Sequence, residues 1–356
     1  MQVLDVIDPA VLFQDYIYVT STSDTIAQHN KDFARTVVEE LHLGKEDLVI
    51  EVASNDGSLL NCFQSYGVKV LGIEPAGNIA SIANQNGIRT ESTFFDLNSA
   101  GDILRKYGAA RSVIGNNVLA HVDNPRDFLL GMKQLLTHDG MVIIEVPYLK
   151  ELVDRLEYDT IYHEHLSYFS VSALSKLFEK AGLSILEIER IPVHGGSLRV
   201  SAGSSEVYGH HAGIVEMFTD TEQQSGMISH EFLLDFAVKV ETNRKTLVGM
   251  LDDLKSQGKS IAGYGAPAKG NTLLNYCQIS IELLPYTVDK NPLKVGKLTP
   301  GMHIPVLPVE TLLERQPDFV LILAWNFAEE IIKQQEAYRK RGGRFIIPLP
   351  EPGVIQ

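Results

Sequence analysis

Residues 47–60 read DLVIEVASNDGSLL: an unbroken apolar run through Leu48, Val49 and Ile50, an acid at Glu51, a short polar turn through Ala53, Asn55 and Gly57, and then the first residues of an amphipathic segment. A run of aliphatic and β-branched residues without alternation predicts a strand covered on both faces, because a polar face is needed only where a strand meets water. The turn after it has to carry backbone close to another group, and Gly57 with the short Asn55 and Asp56 side chains permits that. Working outward, the same alternation repeats in KVLGIEP (69–75), NIASIANQNG (78–87), SVIGNNVLAHV (112–122), DFLLGMKQLL (127–136) and GMVIIEVP (140–147). Strand, helix and strand in this order predict a doubly wound α/β domain with a parallel sheet. We place it at residues 45–256, with a catalytic insert and a connecting polar helix from about Gln223. Residues 1–44, with DYIYVTSTS (15–23) and a helix-like HNKDFARTVVEELHLG stopped by Gly44, read as a lid or leading segment.

A second alternation starts near Lys259 and runs through KSIAGYGAPAKGNTLLNYCQI, LPYTVDKNP, IPVLPVETLLERQ, DFVLILAWNFAEEIIKQQEAYRKRG and GRFIIPLP. It predicts a second Rossmann-like α/β domain over residues 257–356. A chain of 356 residues has room for two such cores. The net charge of −14 argues against a nucleic-acid partner, while leaving room for a small anionic ligand held by local cations or helix N-termini. Only two cysteines, Cys62 and Cys277, are present, so neither a disulfide framework nor a Cys-based zinc site is expected, and no metal is assigned. No apolar stretch approaches the roughly 20 residues that span a bilayer, and MQVLDVIDPA lacks the basic and apolar regions of a leader, so the expectation is a cytoplasmic protein without a membrane partner.

The turn after the first strand has one glycine and two acids in place of the GxGxxG of phosphate-binding turns. Glu51 and Asp56 suit a cationic ligand, and S-adenosylmethionine (SAM) carries a sulfonium and an ammonium group. Glu74, followed by Pro75 at the tip of the second strand, is placed to hold ribose hydroxyls, and Asn116 and Asn117 close a third side of the crevice. The alternative for each is local, an Asx-rich turn and a solvated strand end. The loop, the acid and the NNVLAHVDNP run together resemble the class I SAM-dependent methyltransferases. By that resemblance Phe94 and Phe95 in ESTFFDL lie near the adenine, with buried core aromatics the equal alternative.

Between the two domains lies YDTIYHEHLSYF (158–169), dense in titratable groups. His165 beside Glu164 is a candidate general base, Tyr162 a donor to a carbonyl oxygen on which charge develops, and His121 a second group reaching the same pocket. A mixed N/O metal site is the competing reading; His163 and His165, two apart, would share one face if the run were a strand. HGGSLRV (194–200) offers Arg199 to the substrate. In GYGAPAKG (263–270), which lacks P-loop spacing, Tyr264, Lys269, Asn271 and Thr272 face either a diphosphate or the domain junction, or simply form a tight turn. Cys277 and Trp325 read as core.

The stretches DYIYVTSTS, EVASNDGSLL, GIEPAGNIA, NNVLAHVDN, YDTIYHEHLSYFS, HGGSLRV, GYGAPAKGNTLLNYC, YTVDKNPLKVGKLTPGMHIPV and LILAWNF, spread over nearly the whole chain, are similar to the sugar C-methyltransferases that act on nucleotide-linked 4-keto-6-deoxyhexoses. The resemblance implies SAM as methyl donor and a dTDP-linked keto sugar as acceptor, with GDP or CDP as alternatives. It also implies His165 as base with Glu164 orienting it, Tyr162, Asn117 and His121 as supporting polar groups, and Tyr16 as a lid residue. The family's Cys-rich N-terminal zinc domain has no counterpart in this sequence. The expected reaction removes a proton next to the keto group, C3 favoured, and methylates the enolate carbon. The rivals are a sugar O-methyltransferase, an NAD-linked sugar oxidoreductase and a SAM-binding regulator without catalysis. The oligomeric state is left open.

Overall fold

The computed structural model describes residues 7–13, 16–209, 211, 213–227 and 229–355. Residues 1–6, 14 and 15 of the predicted lid segment, Asp15 of DYIYVTSTS among them, lie outside the described residues, as do positions 210, 212, 228 and 356 of the two predicted domains. The chain divides into two units, Met1–Lys150 with His163–Met227 and Glu151–Tyr162 with Ile228–Gln356.

In the first unit β1 (Leu48–Val52), β2 (Lys69–Ile73), β3 (Thr90–Glu91), β4 (Ala110–Asn116), β5 (Leu136–Pro147), β6 (Leu183–Ile191) and β7 (Ser197–Ser204) form one sheet in the order β3-β2-β1-β4-β5-β7-β6. Pairing is parallel from β3 through β5, and β7 runs antiparallel to both β5 and β6. Successive strand residues point to opposite faces, and both faces are covered. Ile50, Val52, Val113, Val142 and Ile144 pack with Phe128, Leu129 and Phe178 on one side, and Val49, Ile114 and Ile143 with Phe33, Leu60 and Phe63 on the other. This two-sided burial is why the strands read as continuous apolar runs. Edge strand β3 and helix Leu97–Tyr107, whose N-terminus Asp96 and Ser99 close as a capping box, are additions to the predicted series.

The second unit carries β8 (Ile261–Tyr264), β9 (Thr287–Val288), β10 (Val306–Leu307), β11 (Phe319–Ile322), β12 (Arg344–Ile347) and β13 (Gly353–Ile355) in the order β10-β9-β8-β11-β12-β13, parallel except for β13. The two compact units divide the chain at other places than the predicted boundary at residue 256. Helix His230–Ser256 buries Val240, Leu247 and Leu251 against Ile261, Leu273, Leu274 and Leu321, and Leu156 and Tyr158 join the same core. Apolar residues go to whichever core their face fits, so both the long helix and residues 151–162 belong to the second unit. The polar helix predicted from about Gln223 is two helices: Gly213–Gln224 stops, and Ser229 caps the next by accepting from the Phe232 N–H. Among the described residues no helix is long and apolar enough to cross a membrane.

Candidate active site

Strand order reverses on either side of β1, which has β2 on one flank and β4 on the other. In a doubly wound sheet a crevice opens at the carboxyl ends of the strands at such a switch point. The turn leaving β1 enters it with Ala53, Asn55 and Gly57 at φ of 57°, 49° and 76°. Left-handed residues set backbone N–H groups toward a common concavity, and an alanine in that region costs roughly 1–2 kcal/mol. Gly57 is required twice over, since a Cβ there would stand 2.9 Å from Ile88 Cβ and Cγ2. Glu74 knits the two neighbouring turns: its Oε2 accepts from the Asn55 N–H at 3.0 Å and its Oε1 from the Ala76 N–H at 2.9 Å, with Pro75 between. Burial pushes this carboxyl above its usual range, against those two N–H donors.

The segment preceding helix Asp24–Glu40 is fastened to the same turn. Asn55 Oδ1 accepts from the Thr20 N–H at 2.9 Å and Asn55 Nδ2 donates to the Tyr18 carbonyl at 3.1 Å, while Asp56 Oδ2 accepts from the Ser21 N–H at 3.1 Å. Asn78 Nδ2 donates to the Tyr16 carbonyl at 2.7 Å. The polar turn residues, chosen from sequence for a ligand, thus also hold the described part of the lid segment.

At the end of β4, Asn117 takes φ of 53° and its N–H donates to the Glu145 carbonyl at 2.8 Å. A short 3-10 turn, Leu119–His121, follows. The Ala120 carbonyl accepts from the N–H groups of Leu166 (2.7 Å) and Ser167 (3.1 Å), which brings the far end of the YHEH run to this turn. As a result the His121 and His165 rings meet edge to face with centroids 4.8 Å apart, and His165 stands 6.3 Å from the Tyr168 ring. Burial pushes the His121 imidazole down to about 4, so it is neutral at pH 7. The run itself is a turn, not a strand, so His163 and His165 gain no common face from pleating, and Tyr162 falls on the last residue of the stretch grouped with the second unit. Among the described residues no three His, Cys, Asp or Glu side chains gather as a metal-binding group.

Several predicted site residues have other tasks. Arg199 donates from Nε and Nη2 to Glu145 Oε1 at 2.9 and 2.7 Å and from Nη1 to Glu189 at 3.1 Å, and its guanidinium lies 4.2 Å from the centre of the Phe33 ring. It faces Glu145 and Glu189 in register across β5, β7 and β6, so it braces the sheet. His29 Nε2 lies 3.0 Å from both Glu145 oxygens, and although burial opposes ionisation, His29 and Arg199 together hold that carboxyl below its usual range. Phe95 packs edge to face on Phe128 at 5.3 Å and belongs to the core, while Phe94 is exposed. Tyr264 is buried in the second unit's core, its OH pushed up to about 12 by burial. Lys269 lies 4.6 Å from the centre of the Trp325 ring, whose N–H donates to Asp159 at 2.7 Å, and its charge faces Asp159 and Glu157. Burial holds this lysine below its usual range against those two acids. Asn271, in the first turn of helix Ala268–Cys277, keeps a buried Oδ1 with no hydrogen-bond partner. Two features had no sequence signal: the His29–Glu145 contact, 116 residues apart, and Glu222, whose carboxylate caps helix Val171–Lys180 and accepts from the Tyr148 OH at 3.0 Å.

The C-methyltransferase NovU of Streptomyces niveus is 38% identical to this chain over 356 residues, spanning 100% of the chain and 84% of that protein. The chain belongs to the C-methyltransferase family. A methyltransferase-domain family model matches residues 26–188, and a model of the C-methyltransferase C-terminal domain matches residues 192–350. Solved structures with partial similarity include magnesium protoporphyrin IX methyltransferase from Synechocystis with bound SAM (16% identity, 55% of this chain and 89% of that one, TM-score 0.38). Another is a SAM-dependent methyltransferase from Clostridium acetobutylicum (11% identity, 52% and 93%, TM-score 0.41). The C-methyltransferase is an enzyme that uses SAM, on the class I α/β fold with a second C-terminal sheet domain. The crevice fits that donor. Glu51 Oε2, Asn116 Oδ1, Asn117 Oδ1 and His121 Nδ1 are buried and have no hydrogen-bond partner, and each such atom costs roughly 1–3 kcal/mol until a ligand satisfies it.

Proposed function

We propose that this C-methyltransferase acts on a nucleotide-linked 4-keto-6-deoxy sugar, dTDP-linked by preference, and methylates the carbon next to the keto group, C3 favoured. The observation that carries the reading is the His121–His165 pair, held together by the Ala120 carbonyl at the carboxyl edge of the methyltransferase sheet. Forming a carbon–carbon bond at that position needs a base, because the carbon becomes nucleophilic only as an enolate. His165, oriented by Glu164, takes the proton. Tyr162 and the neutral His121 donate toward the enolate oxygen, where a well-placed donor lowers the barrier by about 3 kcal/mol. A neutral imidazole is suited to that task because it donates without competing for the abstracted proton. SAM supplies the electrophilic methyl group when bound. The turn Ala53–Gly57 and Asn116 flank the donor, Glu74 offers its remaining lone pairs to the ribose, and Asn117 lies between donor and acceptor. Tyr16 closes the mouth.

The proposal is tested by incubating the enzyme with dTDP-, GDP- and CDP-linked 4-keto-6-deoxy sugars in deuterium oxide without SAM and following loss of the C3 proton. Wild type is expected to exchange it on one of these, and His165→Gln to lose exchange and turnover while binding SAM within about threefold of wild type. Methyl-labelled SAM then gives a carbon-bound label. A label released under ether-cleaving conditions, or exchange that survives in His165→Gln, refutes the mechanism.

A further inference from the structure

Four carboxylates converge at the crevice, and three of them are spoken for. Asp56 accepts from the Ser21 and Ser58 N–H groups, Glu74 from those of Asn55 and Ala76, and Glu145 from His29 and Arg199. Glu51 differs. It is 6% exposed, it is the penultimate residue of β1, and its Oε2 has no hydrogen-bond partner. The charged or titratable groups it faces are Asp56 on its own turn, Glu74 beyond β2, Glu145 on β5 and Cys62 on helix Ser58–Ser65. Each is an acid; of the basic side chains around this set, His29 and Arg199 are already bonded to Glu145, and Lys31 faces Cys62.

We propose that Glu51 reads the charge on the methyl donor: it holds a proton in the empty crevice, gives it up to solvent when the sulfonium of SAM arrives, and regains one once the sulfur is a neutral thioether. The inference rests on the assignment of the cofactor to this crevice and goes beyond it in making the site distinguish donor from spent product. Burial, and after it the neighbouring Asp56, Glu74 and Glu145, push the Glu51 carboxyl well above its usual range, consistent with a neutral group before binding. The ammonium of the donor's amino-acid end travels with its own carboxylate, so the charge that changes between SAM and S-adenosylhomocysteine is the one on sulfur. Methyl transfer thereby removes the donor's net charge, which compensates an ionised Glu51, and the return of a proton favours release of the product. The balance is one proton out on binding and one proton in after transfer, both exchanged with water.

Titration calorimetry of the whole enzyme in buffers of different ionisation enthalpy counts these protons. At pH 7, SAM is expected to release close to one and S-adenosylhomocysteine clearly fewer, and SAM affinity to tighten by up to about tenfold per pH unit while Glu51 stays protonated in the free enzyme. In Glu51→Gln the release disappears and the pH dependence flattens. No release, equal release by the two ligands, or release that persists in Glu51→Gln overturns the proposal. Should the variant not fold, the infrared carbonyl band of a protonated carboxyl in wild type decides: loss on adding SAM and persistence with S-adenosylhomocysteine support the proposal, and an unchanged band refutes it. SAM binding that is indifferent to Gly57→Ala overturns the cofactor assignment itself, and the proposal with it.

Discussion

Replacing Gly57 by alanine isolates the physical demand placed on the turn that leaves the first strand. Two penalties add. The backbone there has φ of 76°, where an L-residue costs roughly 1–2 kcal/mol. The new methyl group would also lie 2.9 Å from Ile88 Cβ and Cγ2 and 3.1 Å from Cγ1. Ile88 is itself buried in the core with Leu59, Leu60 and Phe63, so it has nowhere to retreat, and overpacking of this kind costs roughly 1–3 kcal/mol. Gly57→Ala should therefore destabilise the enzyme by about 2–5 kcal/mol. Gly87 provides the comparison, because it has φ of 82° and open space where a Cβ would stand, so Gly87→Ala carries the dihedral penalty alone. Urea denaturation of both variants gives the difference, and Gly57→Ala should cost less in an Ile88→Ala background than in the wild type. If Gly57→Ala costs no more than Gly87→Ala, the close approach to Ile88 has been misjudged. SAM affinity should fall in Gly57→Ala and hold in Gly87→Ala.

Arg199→Met should destabilise the enzyme by about 3 kcal/mol, because it takes the guanidinium from the buried Glu145 and leaves it the His29 ring as side-chain partner; a raised acceptor KM at unchanged stability would instead support a substrate role for Arg199. Burial, opposed by Lys269, raises Glu157 to about 7 and Asp159 to about 6. The folded enzyme therefore holds protons that the unfolded chain has already released, and stability should decline as pH rises from about 4 to about 7. Asp159→Asn should flatten that decline by an amount on the order of 2 kcal/mol, read from denaturation midpoints at pH 5 and pH 8. His121 works in the opposite sense: with its imidazole pushed down to about 4, the unfolded chain takes up the proton first, so stability should be lost as pH falls from 6.5 toward 4. His121→Asn should remove that acid-side loss, and an unchanged acid limb would contradict a buried neutral imidazole.

The strand and turn at residues 48–57 were legible because parallel strands buried on both faces cannot alternate, and because a left-handed glycine has few substitutes. The histidine pair was legible only in part. Sequence placed His121 and His165 near one pocket, while the contact that joins them is a carbonyl of Ala120, and backbone bonds leave no signature in side-chain chemistry. The carboxylate partners of Arg199 were hidden for a related reason. A loop arginine and a strand arginine look alike in a string of letters, and only the register of β5, β7 and β6 reveals that Glu145 and Glu189 flank it. Tyr264 and Phe95 pack into the two cores, a burial that their letters alone did not reveal because aromatic rings suit both ligands and cores. The division into units escaped sequence reading because the long helix and residues 151–162 show no change of composition where they pass to the second core.

The position of β7 between β5 and β6 bears on how the chain is made. β6 leaves the ribosome first, before β7, which among the described residues is its neighbour in the sheet. A nascent chain ending near residue 190 carries a nine-residue strand with two unsatisfied edges. The sheet can accept it only after another dozen residues have emerged and folded back as a hairpin. Dividing the gene between the two family matches, at residues 188 and 192, would separate that hairpin into two halves; a fragment meant to fold alone should carry residues through Ser204.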